Sequence, residues 1–226
     1  MSAWATHFSN HYCSDNEIDV LIEDTGITKS EFLETRKFPG PSIRAGDFGE
    51  ILIADYLQFK LDYWVPRTRY DRKVIANESS KGSDVIAFKL MGDTASVDDE
   101  LVIVEVKTQF SGKFPINRLQ DAVDDSVKDF KRKAESLNAI KQRLIDRNEY
   151  ANAKKVGRFQ TLVDHSYKNI SGAAALFSTN VFNTTSISST NTSSHPNTTD
   201  LVLIVIHAKD FMSLVHSLYA RAANEA

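Results

Sequence analysis

The sequence predicts an α/β protein with a mixed central β-sheet flanked by α-helices, and three stretches carry that expectation. Residues Leu101–Lys107 (LVIVEVK) form a β-branched run, preceded across a polar loop by the shorter run Val85–Phe88, so the two read as a hairpin. Residues Leu201–Ile206 (LVLIVI) are the most apolar run of the chain and are expected to be a central strand buried on both faces. Between them, in the stretch 114–150, Leu119, Val123, Val127, Phe130, Ala134, Leu137, Ile140 and Leu144 recur every three to four residues. That is the spacing of a helix with one face laid on a sheet.

The 226 residues suffice for one substantial core, so the chain reads as a single domain with residues 1–40 as an N-terminal extension. A net charge of −3 announces no global affinity for nucleic acid, and a binder would have to gather its Lys and Arg locally. The single cysteine, Cys13, rules out an internal disulfide and a multi-cysteine zinc site. No apolar run approaches a membrane span and no signal-like leader opens the chain, so no membrane partner and a cytoplasmic location are expected.

In chain order, His7, His11 and Cys13 have helical metal-ligand spacing. With no fourth ligand nearby, an ordinary polar segment is the reading preferred. Ile18–Ile22 reads as a short strand, and residues 28–37 as a helix capped by Thr28 or Ser30 and stopped by Pro39-Gly40-Pro41. Ser42–Phe59 reads as a helix with a wide apolar face, Glu50 at its edge, and Gly46 and Gly49 permitting close packing. Tyr63–Tyr70 reads as a strand bearing Arg67 and Arg69 and running into Arg72 and Lys73. These cations are either a phosphate-contact strip or an edge strand charged against aggregation. Residues 77–81 form a polar turn into Gly82-Ser83-Asp84.

Residues 113–158 hold twelve Lys/Arg against seven Asp/Glu. Lys131-Arg132-Lys133 and Lys154-Lys155 would follow a DNA backbone or meet a protein partner, but a solvated outer helix face is the commoner explanation. Ala173–Phe177 suggests a short strand. From Ser178 to Thr199, 17 of 22 residues are Ser, Thr or Asn, a composition that buries little and reads as a mobile loop or a polar hairpin extension, with Pro196 favouring the loop. His207 reads as a strand-end residue, and Phe211–Ala223 as a closing helix.

The chemistry concentrates where the hairpin ends. Asp84 heads its first strand and Glu105 and Lys107, two apart on one strand face, end its second. Carboxylate oxygens are what Mg²⁺ takes from a protein, and a lysine beside them would orient or deprotonate a water and counter phosphate charge. An ion pair with no further role is the competing reading.

The order helix with Glu50, strand with Asp84, strand ending Glu105-Val106-Lys107 resembles the PD-(D/E)xK nuclease superfamily, with Ser83-Asp84 in place of Pro-Asp. More closely, Arg44–Glu50, Val65–Arg69, residues 81–84 and Val104–Lys107 resemble the nuclease subunit of Hachiman-type anti-phage defence systems, most strongly over residues 40–115. The resemblance implies a restriction-endonuclease-like core and a Mg²⁺-dependent DNA nuclease, with Mn²⁺ able to substitute. It also implies a superfamily-2 helicase partner that restrains the nuclease. Carried over, Asp84 and Glu105 would ligate the metal with the Val106 carbonyl, Glu50 would bind it directly or through water, and Lys107 would position the attacking water. Arg44, Arg67, Arg69 and Lys73 are expected at the DNA backbone. Gln120 is expected near the site, although Asp124 stands where a tyrosine usually accompanies such a glutamine. Two alternatives are a catalytically silent docking module and a stand-alone restriction endonuclease. DNA preference, RNA cleavage, activation and oligomeric state are not legible.

Overall fold

The computed structural model describes residues 2–71, 73, 75–78, 82–160 and 166–225, so Arg72 and residues 79–81 of the expected strip and turn lie outside the described residues. In chain order the elements are α1 (Ser2–Ser9), α2 (Asp15–Ile22), α3 (Lys29–Phe32, continued by a π-helical turn Leu33–Lys37) and α4 (Pro41–Lys60). The hairpin β1 (Val85–Lys89) and β2 (Glu100–Gln109) follows, then α5 (Arg118–Asp146), α6 (Tyr150–Gly157) and β3 (Lys168–Ser178). A short α7 (Thr184–Ser188), β4 (Leu201–Ala208) and α8 (Phe211–Asn224) complete the chain. The chain divides into two compact units.

The first unit comprises Met1–Phe48, Arg67–Lys81 and Asp210–Ala226. Its centre is aromatic: Tyr219 meets Phe8 and Phe38 edge-on, at ring distances of 4.8 and 5.1 Å, and shares a 2.6 Å hydroxyl contact with Tyr12. The Tyr12 hydroxyl also donates to Asp47 (3.0 Å), whose other partner is the buried Lys73 ammonium at 3.1 Å. Residues Ile18–Ile22, expected as a strand, belong to helix α2. The Ser14 backbone N–H and hydroxyl both donate to Glu17, so a helix cap outweighs the β-branched side chains. Thr28 caps α3 as expected.

The second unit comprises Gly49–Pro66 and Gly82–Lys209 and is built on a sheet of order β1-β2-β3-β4. The hairpin is antiparallel, with Val85 opposite Val104, and β3 and β4 join parallel, making the sheet mixed as predicted. One face, carrying Ile86, Phe88, Leu101 and Ile103, is covered by Leu137, Ile140 and Leu144 of α5 and by α6 with Phe159. Ala173, Ala175 and Phe177 continue that face on β3 under Leu119, Ala122 and Val123 of α5. Small alanines there let a helix lie close. The opposite face meets the second half of α4, where a side chain on Gly49 would put its Cβ 2.4 Å from Thr108 Cγ2. Gly49 thus serves close packing as expected, whereas a side chain on Gly46 would meet open space.

Four further expectations are corrected. Tyr63–Tyr70 is not a strand. Only Trp64 bridges Phe88, because Pro66 brings no N–H and Arg67 has a left-handed φ of 52°. The predicted single long helix ends at Asp146, where Asn148 takes φ 62° and the chain turns into α6. Leu201–Ile206 is not central: β3, eleven residues long rather than five, takes that place, and β4 is the outer strand, with Val202 46% and Leu203 41% exposed. Residues 178–199 form an ordered polar strap. Asn117 donates to the Ser186 carbonyl (2.7 Å), Gln120 accepts from the Asn191 N–H (2.7 Å), and His195 meets Ser126 at 3.1 Å. Since Asn197 N–H donates to His195 Nδ1, the ring proton sits on Nε2 and points to Ser126, whose own hydroxyl donates to the Val123 carbonyl. Hydrogen bonds to α5 add to the burial of Val181 and the packing of Phe182 and Ile187 in holding this segment.

Candidate active site

The hairpin register sets the site. With Val85 opposite Val104, the next pair outward is Asp84 and Glu105. Gly82 (φ 97°) makes the turn that delivers Ser83 and Asp84, a conformation costly for other residues. Asp84 accepts a hydrogen bond from the Val106 N–H at 2.9 Å, which fixes its carboxyl at the end of β2. Ser83, standing where proline was expected from the resemblance, is buried and tied through its hydroxyl to Ser136 of α5 at 3.1 Å. A side-chain tether thus takes the place of a rigid ring.

Glu105 and Lys107 project from the face of β2 that α5 covers. The Lys107 ammonium lies 2.7 Å from Glu105 Oε1 and 2.7 Å from Asp125 Oδ2. Burial pushes the Glu105 carboxyl up to about 7, Asp84's negative charge adds to the rise, and Lys107 opposes it. Burial also works against the Lys107 charge, but its bonds to Asp125 and Glu105 outweigh that and hold the ammonium well above its ordinary value. The two carboxylates thus favour the charged form of Lys107.

Two carboxylates that sequence reading passed over enter from α5. Asp125 shares its charge between Lys107 and Lys128. Asp129 is 3% exposed, and burial raises its carboxyl. A signal for it existed in the sequence: Ser126, Asp129 and Ser136 fall on the stripe that Leu119, Val123, Leu137 and Ile140 make apolar, and all three are buried.

The other expected residues are placed as follows. Glu50 follows Gly49 on α4, the helix whose Gly49 lies against Val106 and Thr108 of β2. Gln120 is engaged with Asp124 (2.8 Å) and with Asn191 of the strap. Arg44, Arg67, Arg69 and Lys73 all belong to the first unit. There Arg44 donates to the Pro39 carbonyl (2.7 Å) and lies over the Tyr219 ring, and Arg67 contacts His11 at 3.1 Å. Arg69 lends its charge to Asp47, and Lys73 is bonded to that same carboxylate. Cys13 packs in the core with its thiol toward Glu17. His207 stacks on Phe182 at 4.3 Å, a packing role at the strand end. No helix among the described residues is long and apolar enough to cross a membrane.

The donor set suits a hard divalent cation. Two adjacent carboxylates at one strand end crowd like charge that a single lysine does not neutralise. Against protein-family models, residues 1–222 match the model described as HamA. No curated protein matches the chain.

Proposed function

The chain belongs to the HamA family, a component of Hachiman defence, and from that premise we propose that it is a Mg²⁺-dependent nuclease that hydrolyses DNA phosphodiesters. The reading is carried by one observation, the convergence of Asp84, Glu105 and Lys107 at the end of one hairpin. Asp84 and Glu105, with the Val106 carbonyl, would hold the ion, and Glu50 would contribute directly or through water. The bound ion would activate a water and stabilise charge on the phosphate oxygens. Lys107 holds a fixed positive charge beside that position, and Asp125 keeps it oriented there. Asp84, anchored on the Val106 N–H, keeps the two carboxylates in register. A helicase of the same defence system is the proposed restraining partner.

The test uses the full chain freed of any partner. It is expected to nick plasmid DNA with Mg²⁺ or Mn²⁺, at scattered sites, and to stop on adding EDTA. Lys107→Ala is expected to slow cutting by roughly 10²–10³-fold, the usual loss when one preorganised charge is removed. Cutting by Lys107→Ala at the wild-type rate removes that residue from the chemistry. Cleavage confined to one sequence favours a stand-alone restriction endonuclease. Absence of both cutting and metal binding leaves a docking module.

A further inference from the structure

Strand β4 lacks the protection that β1 has at the other end of the sheet, where Trp64 bridges Phe88. The Asp200 carbonyl accepts from the Ser171 N–H of β3, and in the parallel register Ser171 stands opposite Leu201. Backbone groups alternate in direction along a strand, so Asp200, Val202, Ile204 and Ile206 turn theirs toward β3. Leu201, Leu203, Val205 and His207 turn their N–H and C=O groups outward, where no strand among the described residues meets them. Side chains on both faces of β4 are open as well, Val202 on one and Leu203 on the other. Charge, proline and bulges are the devices by which edge strands avoid pairing. None of them occurs between Leu201 and Ile206.

The outward groups are arranged to pair with themselves. Leu201 and His207, and Leu203 and Val205, lie at equal steps on either side of Ile204. A second β4 turned antiparallel about Ile204 therefore sets Leu201 against His207 and Leu203 against Val205, and each pair exchanges both its hydrogen bonds. No outward N–H or C=O is left over. The same register brings the exposed Asp200 of one copy alongside Ala208 and the exposed Lys209 of the other, acid beside base, with no like charges opposed. We propose that β4 is a self-docking edge through which two copies of this chain join their four-stranded sheets into one continuous sheet. Apolar surface that water meets at Val202, Leu203 and Val205 is covered in the pair. The pairing needs nothing from the hairpin carboxylates and holds whatever reaction they serve.

The experiment uses the full chain in EDTA, with an introduced cysteine reporting the register. In the pair, Ile204 faces its own copy at a non-hydrogen-bonded position, where Cα atoms lie about 4.5 Å apart, within the span of a disulfide. Ile204→Cys is expected to form a covalent dimer on oxidation with diamide. Val202→Cys is expected to form roughly tenfold less, since its two copies stand four residues apart along the strands, roughly 13 Å. Wild type serves as the control, its one thiol, Cys13, being buried. Sedimentation is expected to show a wild-type dimer that Val205→Pro dissociates. The Val205 N–H points out of the sheet, so proline there removes no bond between β3 and β4. Should Val205→Pro fail to fold, the two cysteine variants decide. Wild type that sediments as a monomer at the concentrations used for cross-linking overturns the proposal. A dimer in which Ile204→Cys and Val202→Cys link equally, or not at all, places the contact elsewhere and also overturns it. So does a monomer whose β4 amides gain protection from hydrogen exchange only when the helicase of the same defence system is added, since the edge then belongs to that partner.

Discussion

Glu105 shows how one residue can make the stability of the folded chain depend on pH. Its carboxyl, pushed up to about 7 by burial and by Asp84, holds its proton more tightly in the folded chain than in the unfolded one. A raised folded value gives stability that is full below about pH 4.5 and is lost as pH rises through about 7. Metal-free protein should therefore lose stability between pH 5 and 8. Glu105→Gln should flatten that slope, by at most about 3 kcal/mol, in denaturant melts made in EDTA. A parallel slope in the variant would show that Glu105 does not titrate in this range. Asp84, Glu105 and Lys107 were legible because strand alternation and hairpin register are properties of neighbouring sequence. Asp125 and Asp129 were not, because their placement depends on how a helix from elsewhere in the chain lies on the sheet. The hint was a polar residue on an apolar stripe, and it shows only to a reader who asks why the stripe is broken.

At the scale of elements, the contact between α4 and β2 is the tightest that a glycine governs. Gly49→Ala would gain about 1 kcal/mol of helix propensity, yet its Cβ must displace the Thr108 methyl. Overpacking of this kind costs about 1–3 kcal/mol, so the net change should be destabilising by about 1 kcal/mol. Thr108→Ser, which removes that methyl, should restore stability to Gly49→Ala. Additive losses in the double variant would mean that the two positions do not compete for space. The hairpin, α4 and α8 were read correctly because the spacing of their apolar residues is a local property of each. The segment Tyr63–Tyr70 and the strap were misread for opposite reasons. Aromatic and basic residues resemble a strand until a proline and a left-handed arginine break it. A run of Ser, Thr and Asn resembles disorder until α5 offers Asn117, Gln120 and Ser126 as partners.

For the whole molecule, the sheet has one well-finished side and one open side. Trp64 bridges the outer strand β1, whereas β4 ends the sheet with exposed Val202 and Leu203 and no charged residue between Leu201 and Ile206. Such an edge invites pairing with another chain. Isolated protein should associate increasingly as its concentration rises, and Val202→Lys should suppress this in sedimentation while changing stability by less than about 0.5 kcal/mol. Equal association in wild type and variant would place the contact elsewhere. The interleaving of the two units has its own consequence. The aromatic cluster around Tyr12 waits for Tyr219, which is encoded after the last strand of the sheet. On the ribosome the hairpin with its carboxylates can therefore take shape while the tyrosine partnership is still untranslated, so the sheet unit is ready to mature first.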